Sequence, residues 1–117
     1  MKKAMFKIFQ EEILFWQKKF QISEWEIYLS YKNLNNCRAE ILFNWEGMIA
    51  HITLNKAWTK KEKIEVQKTA FHEVCHILLA PLRSYNYHKD QEELEHAIIR
   101  RLENTIFIDY LKDEKLK

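Results

Sequence analysis

A single glycine, Gly47, and a single proline, Pro81, punctuate 117 residues. Long irregular loops have little to be made from in such a chain, so regular elements joined by short turns are expected. With 47% hydrophobic and 14% aromatic residues, it can bury one modest core, and a single domain over residues 1–117 is expected. From Lys3 to Phe20, Met5, Phe9, Ile13, Trp16 and Phe20 recur at three- and four-residue intervals, which predicts an amphipathic helix. The period then changes to two. Trp25, Ile27, Leu29 and Tyr31 alternate with polar positions, as do Cys37, Ala39, Ile41 and Phe43. Asn33 to Asn36 reads as a turn, Gly47 marks a hairpin, and Met48 to Asn55 is the returning strand. Three antiparallel strands in a meander follow from this order.

The helical period resumes after Trp58. Thr59 followed by Glu62 fits a capping box, which predicts a helix from about Lys60 to Ala80, where Pro81 ends it. After the connection "LRSYNYH", Asp90 and Glu93 suggest an N-cap for a last helix from about Gln91 to Leu111. The expected class is α+β: a helix, a three-stranded antiparallel meander, and two helices.

Charge excludes more than it indicates. The 19 basic residues are balanced by 17 acidic ones for a net +2, so no nucleic-acid footprint is expected. Gln10, Glu11 and Glu12 interrupt any signal-peptide core, and no apolar run reaches membrane-spanning length. Cys37 and Cys75 do not make a disulfide framework, and a reduced, cytoplasmic setting is expected.

The stretch "TAFHEVCHILLA", residues 69–80, carries no charge except at His72, Glu73 and His76. Burying three such groups without partners is costly. The segment matches H-E-x-x-H, and the spacing has a physical basis. Positions i and i+4 share one helical face, so two imidazoles can reach one metal ion. Glu73 is rotated about 100° from His72, outside the ligand set but able to reach a metal-bound water. Zinc is the expected ion: it accepts neutral imidazoles and a carboxylate in tetrahedral geometry and leaves a fourth site for water. The zinc lowers the pKa of that water, and Glu73 is the expected general base.

A third ligand is sought on the last helix. Taking Leu102 as the centre of its buried face, Glu95 falls about 20° away, inside an apolar stripe that includes Ile98, Ile99 and Ile106. Glu95 is the expected third ligand and Glu92 the reserve; Glu93 and His96 point away from the face. His51 is expected to be exposed, Cys75 to be a core thiol, and Tyr85, Tyr87 or His88 could donate to a developing oxyanion.

"HEVCHILLAPL" followed by "EELEHAIIRRLEN" resembles a family of small zinc metallopeptidases frequently encoded by bacteriophages. That family is similar in outline to minimal gluzincins of the ImmA/IrrE and SprT-like groups. The resemblance implies a minimal zincin-like domain with His72, His76 and Glu95 as metal ligands and Glu73 as general base. It also implies a peptide or protein substrate lying against the strand before the active-site helix, Met48 to Asn55. It supplies no clear equivalent of a transition-state Tyr or His. Two functions follow: hydrolysis of peptide bonds, or a phage-encoded regulatory protein that binds a host factor and keeps its zinc for structure.

Overall fold

The computed structural model describes residues 2–44, 46–82 and 89–116. Helix α1 spans Lys2–Lys19 and is followed by strands β1 (Glu26–Lys32), β2 (Ala39–Asn44) and β3 (Ile49–Asn55). Helix α2 spans Lys63–Leu78, and a 3-10 turn at Ala80–Leu82 contains Pro81. Helix α3 (Lys89–Leu102) continues through a π-helical turn, Glu103–Phe107, into α4 (Ile108–Leu116). The flanking residues Leu102 and Ile108 keep right-handed helical dihedrals, so these pieces form one long helix. The chain is thus an α+β arrangement of three helices and a three-stranded sheet.

The sheet is mixed, which corrects the antiparallel meander. Its order is β1-β3-β2, with β3 parallel to β1 and antiparallel to β2. β3 takes the centre because it is the most deeply apolar strand: Ala50, Ile52 and Leu54 are fully buried. A strand covered on its face and paired along both edges gains most from such residues. Its inward residues align with Ile27, Leu29 and Tyr31 of β1 and with Phe43, Ile41 and Ala39 of β2. The expectation that the strand before α2 is an open edge for a peptide is therefore also corrected: β3 is paired on both sides. The two-residue alternation was sound for each strand, but Cys37 lies before β2 and is exposed.

α2 is the central helix. α1, β2, α3 and the π-helical turn all pack against it, and buried residues surround most of its axis. This explains why residues 69–80 avoid charge. On the α1 side, the ring of Trp16 meets that of Phe71 at 4.6 Å and that of Tyr110 at 5.0 Å, while Phe71 lies 5.4 Å from Phe107. The expected capping box is not formed. α2 begins three residues late, after Glu62, whose side chain makes no cap bond. Lys61 instead donates to the Trp58 carbonyl and, at 3.0 Å, to the Tyr31 hydroxyl, which holds the preceding segment out of the helix.

One buried side chain ties the sheet to the rim of the site. Asn55 accepts from the backbone of Leu34 at 2.8 Å and of Ala57 at 2.9 Å, and donates to the Cys37 carbonyl at 2.6 Å. A buried amide with these bonds is satisfied and fixes the turn before β2. Arg38 and Ala39 thereby line one cavity with Lys68, Thr69, His72 and Glu73 of α2.

Candidate metal centre

His72 and His76 stand one turn apart on α2, as the spacing predicts, and their Nε2 atoms lie 3.2 Å from each other. Two nitrogens on one tetrahedral zinc, with bonds of about 2.0–2.1 Å, would be separated by about 3.3–3.4 Å. The other nitrogen of each ring is bonded to a carboxylate of the last helix. His76 Nδ1 is 2.5 Å from Glu95 Oε1, and His72 Nδ1 is 3.2 Å from Glu103 Oε2. A third imidazole completes the group: the His96 ring lies 5.0 Å from that of His76 and 5.5 Å from that of His72. One nitrogen from each of His72, His76 and His96 lies within 4.8 Å of the others.

The carboxylates are placed by a run on the last helix in which residues 95, 99, 103 and 107 are all buried. These positions are four apart, and the π-helical turn beginning at Glu103 keeps Phe107 in line with it. The buried face therefore centres on Ile99 and Glu103, not on Leu102. Ile98 and Ile106, expected on that face, are 41% and 40% exposed. Glu95 is buried on it, but behind His76, bonded at Nδ1 and away from the facing Nε2 atoms. His96, read from the sequence as pointing away, lies among the imidazoles instead. Glu92, the reserve ligand, is exposed. Glu103 and His96 escaped the sequence reading, although the i+4 run through Glu95, Ile99, Glu103 and Phe107 carries the signal for the first.

Among the described residues two buried side-chain polar atoms lack a partner, Trp16 Nε1 in the α1 core and Glu73 Oε2 beside the histidines. Glu73 is 6% exposed. Burial pushes its carboxyl up to about 7, opposed by the neighbouring His72. Burial alone would lower His72, but the hydrogen bond to Glu103 and the charges of Glu73 and Glu103 outweigh it and raise the ring. His76 is lowered, chiefly by burial, against the pull of Glu95. A cavity of about 340 Å³ opens beside His72, Glu73 and Glu103, walled on its outer side by Arg38, Ala39, Lys68 and Thr69. Arg38 is held by Glu65 at 2.9 Å and lies over the Trp58 ring.

The remaining candidates resolve simply. His51 is exposed and stacks on Tyr28, with ring centroids 5.2 Å apart. Cys75 is fully buried and its thiol is pushed far up by burial, which makes it a core thiol. Tyr85, Tyr87 and His88 lie outside the described residues.

The donor chemistry fits a zinc ion: imidazole nitrogens converge, carboxylates fix their far sides, and a buried carboxylate oxygen beside them lacks a partner. In comparison with known proteins, the chain matches no protein family, no curated protein and no solved structure. No described helix is long and apolar enough to cross a membrane.

Proposed function

We propose that the protein is a zinc-dependent metallopeptidase of minimal zincin-like build that hydrolyses peptide bonds. One observation carries this reading: two imidazoles face each other at 3.2 Å, next to a buried Glu73 that lines an open cavity and keeps one carboxylate oxygen without a partner among the described residues. His72 and His76 hold the metal, with a third donor from α3. When bound, zinc supplies a Lewis acid that acidifies water and polarises a carbonyl. Glu73 accepts a proton on its carboxylate and returns it to the leaving amine. α1, β2 and α3 pack around α2, and the described cavity beside Glu73 is the side from which a substrate would reach it. β2 replaces β3 as the place for an extended substrate. It is an outer strand of the sheet, and Arg38 and Ala39 at its start wall the cavity.

The test is Glu73→Gln, assayed with zinc-loaded protein on an unbiased peptide mixture. Cleavage is expected to fall by about 100- to 10,000-fold, the usual worth of a positioned proton-transfer group. Zinc stoichiometry and thermal midpoint should stay near those of the unaltered chain. Equal cleavage by both proteins would remove Glu73 from the mechanism. Absence of cleavage by zinc-loaded wild type would leave a metal-stabilised binding protein as the better description.

A further inference from the structure

We propose that the third donor is His96, and that Glu95 and Glu103 are positioning residues that hold His76 and His72 from behind. This rests on the metal-centre reading above and assigns its ligand set. The two nitrogens of an imidazole lie on different edges of the ring. Glu95 Oε1 sits on the Nδ1 edge of His76, while the Nε2 edge faces His72. An oxygen in that place is turned away from the nitrogens that converge on the other edge. His96 can. Its ring lies about equally near the other two, and neither of its nitrogens is hydrogen-bonded among the described residues.

The two carboxylates have a matching task. An imidazole that donates its Nδ1–H to a carboxylate keeps the lone pair on Nε2 and fixes the plane of the ring. His76 with Glu95, and His72 with Glu103, both have this arrangement. The pairs run in opposite senses along the chain, 72 with 103 and 76 with 95, so α2 and α3 must lie antiparallel at the site. Glu95 and Glu103 are eight residues apart on one buried stripe, and the π-helical turn starts at the second of them. A carboxylate behind each helical histidine and a third imidazole in front supply three nitrogen donors, and a tetrahedral zinc would keep its fourth position for water or substrate. Nothing in this geometry requires Glu95 at the metal.

Zinc affinity by chelator competition, together with the cobalt(II) absorption spectrum, tests the assignment independently of activity. Unaltered protein is expected to bind one ion per chain. His96→Ala should weaken zinc by more than about 100-fold, beyond the range of an outer-shell loss. His96→Asp should restore binding with a shifted cobalt spectrum, since an oxygen then replaces a nitrogen. Glu95→Gln and Glu103→Gln should each keep one ion per chain and the unaltered cobalt bands, with affinity lower by about 10- to 100-fold. The metal-free thermal midpoint of each variant separates this loss from unfolding. The assignment is overturned if His96→Ala binds zinc like wild type while Glu95→Gln loses the ion or shifts the cobalt bands; the peptidase reading would survive that result. A wild-type chain that binds no zinc would overturn both.

Discussion

Two buried polar clusters flank α2, and they differ in what they leave open. On the α1 side, Glu12 accepts from Gln67 at 2.5 Å and from the Tyr110 hydroxyl at 2.9 Å and 3.2 Å. Both oxygens of Glu12 are thereby engaged, and three elements are joined. On the opposite side, nitrogens of His72, His76 and His96 converge, and Glu73 keeps an oxygen without a partner among the described residues. Both clusters cost desolvation; the first engages both oxygens of its carboxylate, whereas the second, although bonded through Glu95 and Glu103, leaves the Glu73 oxygen unmet among the described residues. A closed network is what a fold needs from buried polar groups. The open one marks where a ligand would complete the set.

If that contrast is right, zinc should act on one cluster alone. Zinc at about 1,000 times its Kd should add about 4 kcal/mol to unfolding free energy, read as a raised midpoint in denaturant. His76→Ala should abolish the gain. The same rise in that variant would move the ion elsewhere. Tyr110→Phe is the complementary break. Loss of its hydrogen bonds to a buried carboxyl should destabilise the chain by about 1–3 kcal/mol while zinc affinity stays unchanged.

A smaller effect sharpens the closed cluster. Burial raises the Glu12 carboxyl above 4.5, only partly opposed by Tyr110 and Gln67. The folded chain therefore holds this proton to higher pH than the unfolded chain does. The stability tied to it is fully present below about pH 4.5 and is lost as pH rises through the folded value. Glu12→Gln keeps an acceptor there without the charge, so its stability relative to wild type should climb across that window and then level off. A flat difference across urea titrations at several pH values would refute the account. The smallest effect belongs to the rim. Arg38 and Glu65 are partly exposed, so Arg38→Ala should cost less than about 1 kcal/mol in the same titration.

The legible parts of this molecule were the local ones. The stripe of Phe9, Ile13 and Trp16 is the buried face of α1, and the alternation in β1 and β2 gives the inward rows of the sheet. His72 and His76 share a face because four residues make about one turn, whatever surrounds them. The burial of Glu95 was also visible, since it lies in line with the apolar residues of α3. Its bond to His76 was not. Helical angle reports which way a side chain leaves its own axis, and says nothing of which nitrogen it meets on another helix.

The sequence by itself determined the periods, the type of each element and the pair of imidazoles on α2, because these depend on residues within a turn or two of one another. Tertiary structure decided the rest. It put β3 at the centre of the sheet, since the most apolar strand gains most from two neighbours. It turned the last helix so that Ile99 and Glu103, not Leu102, face α2, and so brought His96 to the other histidines. Strand order and helix rotation are fixed by contacts between distant segments, and no local pattern encodes them.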